Sequence, residues 1–190
     1  MRVVLARFLS IFGHPLVLTP LAALIAAVSQ GASVPIVRSL ALALAALGLT
    51  VVAFSLREVR SGRWTHIDAI APPERRSLNA FLAAMLLISG VALSYLSTTR
   101  HLSVALMLSG VAIVAALALA PLLKISLHVC FAVFSTGLLW PDTFALTAGI
   151  VITSAVAWSR LSLSRHTLAE VCVGAAIGAA TVMAYHQWTG

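Results

Sequence analysis

Residues 102–120 read LSVALMLSGVAIVAALALA, a stretch with no charged side chain and only Ser103 and Ser109 to interrupt its apolar character. Its length matches the roughly 20 residues that a helix needs to cross about 30 Å of hydrocarbon. The run is uniformly apolar rather than alternating, and an open sheet edge cannot persist in lipid, so a helix is expected here and not a barrel strand. Working outward, comparable runs cover 13–29, 37–56 and 79–97 on one side and 126–140, 143–158 and 167–186 on the other. Between the fifth and sixth of these, Trp140-Pro141-Asp142 favours a turn over one continuous helix. The expected fold class is all-α: a polytopic transmembrane helix bundle of six to seven spans, seven by this count, forming a single domain over 1–190. The opening Met1-Arg-Val-Val-Leu-Ala-Arg7 resembles the start of a signal peptide, but no small-residue cleavage site follows, and a retained first helix is expected.

Composition agrees with lipid as the solvent. Of 190 residues, 61% are hydrophobic and only 9% charged, which excludes an ordinary soluble globule. The formal net charge of +7 would point to nucleic acid in a soluble protein. Here the basic residues are confined to the breaks between apolar runs, where they mark topology, anionic headgroups or a phosphate site, so no nucleic-acid partner is expected. Cys130 and Cys172 each lie inside an apolar run and have no metal-type spacing. Gly174-Ala-Ala-Ile-Gly178 is a small-xxx-small pattern suited to close helix packing.

Counting breaks along the chain puts residues 1–12, 57–78, 121–125 and 159–166 on one side of the membrane. Of the twelve Lys and Arg, all but Arg38 and Arg100 fall there. The positive-inside rule makes that side cytoplasmic, as in a bacterial inner or plasma membrane.

Ionisable groups at membrane depth are costly and mark functional sites by default. Three clusters share the charged side. The first runs from Trp64 to Asn79 and contains Asp68, Glu74, Arg75 and Arg76; the second is Lys124-Ile-Ser126-Leu-His128; the third is Ser159-Arg160-Leu-Ser-Leu-Ser-Arg165-His166-Thr-Leu-Ala-Glu170. His166 and Glu170 are four apart, so on a helix the carboxylate can hold one imidazole nitrogen while the other points away. An oriented imidazole beside arginines suits attack on phosphorus, since fixed cations stabilise the charge that develops in phosphoryl transfer. Lys124, Ser126 and His128 open an apolar helix, where free N–H groups favour an anion and His128 is placed to protonate a leaving oxygen.

These residues resemble the signatures of the type 2 phosphatidic acid phosphatase superfamily. Ser159-Arg160, five residues, His166, three residues and Glu170 resemble the third signature, Ser-Arg-x5-His-x3-Asp, with Glu for Asp, and Gly174 fits the local pattern that follows. Ser126-Leu127-His128 resembles the second, Pro-Ser-Gly-His, with Ile125 replacing Pro and Leu127 replacing Gly. Asp68-x6-Arg75-Arg76 resembles the first, Lys-x6-Arg-Pro, without its lysine and proline, and two spans separate it from the second. The resemblance covers about Asp68 to Gly178. It implies that His166 is a nucleophile forming a phosphohistidine, that Glu170 orients it, and that His128 is the acid and then the base for water. Arg160, Ser126, Ser159, Arg75 and Arg76 would bind the phosphate, with Lys124 supplying the cation lost from the first signature and no metal or cofactor required.

The expected activity is a lipid phosphatase acting on a phosphatidate-like or polyprenyl phosphate or diphosphate, with membrane lipids as its surroundings. A phosphotransferase using the same histidine and a non-catalytic scaffold or transporter are the alternatives. His66, Asp68 and Glu74 are read as solvated loop residues, His14, His101 and His186 as interfacial, and Trp64, Trp140, Trp158 and Trp188 as an aromatic belt.

Overall fold

The computed structural model describes residues 2–67, 69, 71–96 and 99–190. Among these residues the structure is all-helical: α1 (Arg2–Phe12), α2 (Pro15–Ser29), α3 (Val34–Arg60), α4 (Pro72–Ser94), α5 (Arg100–Leu119), α6 (Leu127–Leu138), α7 (Thr143–Ser162) and α8 (Leu168–Thr189). Five of them, α3, α4, α5, α7 and α8, are long and apolar enough to cross a membrane; α1 and α2, bent by 56° at their junction, make a sixth span if taken together. The chain is an integral membrane protein on these lengths and compositions.

The expected count of seven differs in two places. Within residues 1–12, read as a head outside the first span, Arg2–Phe12 form a helix of their own that Gly13-His14-Pro15 breaks from α2, with Pro15 at the first helical position, where its missing N–H costs nothing. The expected span 126–140 is α6, whose 12 residues rise only about 18 Å. That is short of the hydrocarbon thickness.

The short helix is the centre of the bundle. Val129, Cys130, Ala132 and Phe134 of α6 are each 1% exposed. They sit among α2, α7 and α8, with Phe131, Phe134 and Leu138 joining Val104 and Leu108 of α5 and Tyr185 of α8 in one apolar cluster. The outer helices turn Leu42, Leu49, Ile88 and Phe144 outward, as a lipid-facing surface requires. Gly174 and Gly178 seat α8 on α6: a Cβ on Gly174 would stand 2.6 Å from the Ser126 carbonyl oxygen, and one on Gly178 would overlap that of Cys130. The small-xxx-small pattern is used for this close approach.

Helix ends are fixed by side chains read otherwise in the sequence. Glu74 is buried, and its carboxylate accepts the N–H of Thr65 at 2.8 Å and of Ala71 at 3.1 Å, so it organises the loop before α4 instead of lying solvated within it. Trp64 is also buried, edge-on to Phe54 at 5.5 Å, and so does not belong to an aromatic belt; Trp140, Trp158 and Trp188 are exposed. Asp142 caps α7 through the Ala145 N–H at 3.0 Å and accepts the Ser29 hydroxyl at 2.9 Å, which ties the end of α2 to the start of α7.

Candidate active site at one end of the bundle

The end opposite the Ser29–Asp142 contact gathers the breaks between α1 and α2, α3 and α4, α5 and α6, and α7 and α8. His166 lies in the loop before α8, its side chain 7% exposed. Its Nδ1 meets two oxygens, Glu170 Oε2 at 2.9 Å and the Lys124 carbonyl at 3.1 Å. Both are acceptors, so the proton is on Nδ1 and the lone pair on Nε2. The tautomer follows from these two contacts.

Glu170 is held as firmly as it holds. Thr167-Leu-Ala-Glu170 is a capping box at the start of α8: Glu170 Oε2 accepts the Thr167 N–H at 3.1 Å, and Thr167 Oγ1 accepts the Glu170 N–H at 3.3 Å. The same carboxylate therefore ends a helix and orients an imidazole. Backbone contacts join this loop to the second cluster, since the Ser126 N–H donates to the Glu170 carbonyl at 3.3 Å and Lys124 Nζ donates to the Arg165 carbonyl at 2.8 Å.

His128 stands in the first turn of α6, within electrostatic reach of Arg160, His14 and His166. Arg160, in the last turn of α7, is part-buried; its Nη1 donates to Ser10 Oγ at 2.7 Å while its Nε, like Ser126 Oγ, is buried with no hydrogen-bond partner among the described residues. Buried polar atoms left unpaired are rare and carry a desolvation penalty, so a donor and a hydroxyl orphaned together in one cluster suit an oxyanion. Arg75, in the first turn of α4, and Arg165 both act on Arg160 and on Lys124. Among the described residues no three His, Cys, Asp or Glu side chains converge in a way that could hold a metal ion.

The electrostatics of the two loop residues are set first by desolvation. His166 is held below the ordinary histidine range by burial, assisted by the Arg160 and Lys124 cations and opposed by the Glu170 carboxylate, so the neutral imidazole prevails at neutral pH. Lys124 is likewise lowered, by desolvation and then by the neighbouring Arg75 charge, with Glu170 opposing.

Of the residues expected from the sequence, the structure brings together His166, Glu170, His128, Ser126, Arg160, Lys124 and Arg75. Arg76 is exposed on α4, turned from Arg75 by the 100° step of a helix. Ser159 is buried next to Arg160, and its hydroxyl donates to the Val156 carbonyl at 2.7 Å, a bond within its own helix. Asp68 lies outside the described residues. Two residues join the cluster that the sequence reading left out of it: Ser10, through Arg160, and His14, whose ring stands edge-on to that of His128 with centroids 5.1 Å apart. Comparison of the chain with family models, with curated proteins and with solved structures finds no match.

Proposed function

We propose that this protein is a membrane-embedded lipid phosphatase of the type 2 phosphatidic acid phosphatase kind, working through a phosphohistidine. The observation that carries the reading is the doubly accepted Nδ1 of His166, which leaves Nε2 as a nucleophile in a cluster containing Arg160, Lys124 and Arg75. Nε2 attacks the phosphorus of a lipid phosphate. The P–O bond to the lipid breaks, and His128 gives its proton to the departing oxygen. The orphaned Arg160 Nε and Ser126 Oγ supply donors to the phosphoryl oxygens, and the surrounding cations offset their charge. Water then attacks the phosphohistidine while His128 takes its proton, releasing inorganic phosphate and restoring both histidines. With a diphosphate lipid the leaving group is the lipid monophosphate. The charge asymmetry of the breaks supports a cytoplasmic site.

The test is phosphate release by the purified protein in detergent with EDTA, over phosphatidate-like and polyprenyl mono- and diphosphates, with acid-labile labelling of the chain followed in parallel. Release and labelling that both vanish in His166→Ala are the expected result. Phosphate moved to an added alcohol without release makes the protein a phosphotransferase. Neither labelling nor release from the folded protein sinks the enzymatic reading and leaves the scaffold or transporter.

A further inference from the structure

We propose that Ser10 of α1 is the positioning residue of Arg160, fixing the aim of its guanidinium from across the contact between α1 and α7. The role rests on Arg160 binding phosphate in the reaction above.

Ser10 is brought to Arg160 by the way α1 packs. Ala6 and Ser10, four apart, lie along one side of α1, and Gly13 follows just past its end. Ala6 is fully buried, and Gly13 lies so close to Val156 of α7 that a Cβ would overlap its side chain. From Val156 to Arg160 is about one turn of α7, and from Gly13 back to Ser10 is about one turn of chain. The close approach at Gly13 therefore sets Ser10 level with Arg160.

The bond that results differs from those of hydroxyls elsewhere in the bundle. Thr50, Thr147, Ser154 and Thr181 each donate to the carbonyl four residues earlier in their own helix. The Ser10 hydroxyl works between helices, accepting from Arg160 Nη1 at 2.7 Å. A guanidinium is a rigid planar fork of five N–H donors, so holding one of them sets the directions of the rest. A hydroxyl does this without bringing a charge of its own. A carboxylate at the same place would pair with the guanidinium and compete for it with phosphoryl oxygens. Serine aims the cation while leaving its charge for an anion.

The experiment uses the full chain in detergent, with the panel lipid that the unsubstituted protein turns over fastest. Ser10→Ala removes the acceptor, and Ser10→Thr and Ser10→Val form a pair of nearly equal shape in which only the first keeps it. In Ser10→Ala and Ser10→Val, kcat/KM should fall roughly tenfold, the scale of one hydrogen bond to a charged group, while Ser10→Thr should stay within about twofold. The same Ser10→Ala change made in Arg160→Ala should cost nothing further, because its effect passes through the arginine. A loss that persists without Arg160, or a valine that serves as well as threonine, overturns the proposal and leaves Ser10 a packing residue. The bond itself is read by NMR of the chain with isotope-labelled arginine, where Ser10→Ala should speed rotation about the Cζ–Nη bonds of Arg160; an unchanged Arg160 signal also overturns it. Absence of phosphate release from every lipid by the unsubstituted protein overturns the phosphatase reading instead, and the arginine signal still decides whether Ser10 holds Arg160.

Discussion

The two ends of the bundle use the same residue types to opposite effect. At the far end Arg100 donates to the Trp188 carbonyl at 2.7 Å, His186 Nε2 meets the Gly137 carbonyl at 2.9 Å and His101 meets the Tyr185 hydroxyl at 3.3 Å. Those contacts consume the polar groups in holding α5, α6 and α8 together. Among the described residues at the site end, Arg160 keeps an unpaired Nε, Ser126 an unpaired hydroxyl and His166 an unengaged Nε2, although the cations outnumber the carboxylates. An arginine or histidine at a membrane boundary is thus not informative in itself. What separates the ends is whether the fold has already satisfied the side chain.

The sharpest way to break this comparison is Glu170→Gln. It preserves shape while removing the carboxylate that fixes the His166 tautomer, and phosphate release should fall on the order of a thousandfold by steady-state assay, since a misassigned tautomer is that costly in comparable triads. Arginine tested at both ends comes next: Arg160→Ala should lower kcat/KM by roughly a hundredfold, the scale of one lost oxyanion donor. Arg100→Ala should leave the rate within about twofold, because its bond ends on an exposed backbone carbonyl. Equal losses at the two ends would erase the distinction. Gly174→Leu should destabilise the fold by about 1–3 kcal/mol in a detergent melt, since its side chain must displace the Ser126 backbone.

The smallest effect is a pH displacement. Burial and the nearby cations lower His166; on the proposed chemistry only its neutral form attacks, so the acid limb of kcat/KM is expected below the ordinary histidine value of 6.5. Lys124→Gln removes one of those cations. His166 then binds a proton more readily, and the limb should move up by a few tenths of a pH unit. An unmoved limb would show that Lys124 does not act on His166.

Hydropathy made the helices from α2 to α8 legible, because each apolar run is bounded by charge, Pro or Gly. The spacing of His166 and Glu170 similarly announced a carboxylate held against an imidazole, and Gly174 and Gly178 a close helix contact. Other features lay beyond the sequence for reasons that can be named. Ser10 and Arg160 are 150 positions apart and meet only because α1 packs on α7, a pairing that uniformly apolar helices do not encode. His14 looked like one more boundary histidine, since nothing local to Gly13-His14-Pro15 specifies where α2 lies on α6. Glu74 and Ser159 are polar residues whose partners are backbone atoms, and a sequence shows the residue but not the bond that occupies it.

The brevity of α6 has a consequence for the membrane itself. A helix rising about 18 Å cannot traverse about 30 Å of hydrocarbon, and the helices packed on it, α2, α5, α7 and α8, are longer. The central element thus covers less of the membrane than its neighbours do, and His128 lies in its first turn. On the proposed chemistry the reacting phosphate has to reach the start of this short helix, and a bilayer that thins around it shortens the mismatch between α6 and the hydrocarbon while a thick one lengthens it. On that reading turnover would vary with membrane thickness, with α6 as the gauge.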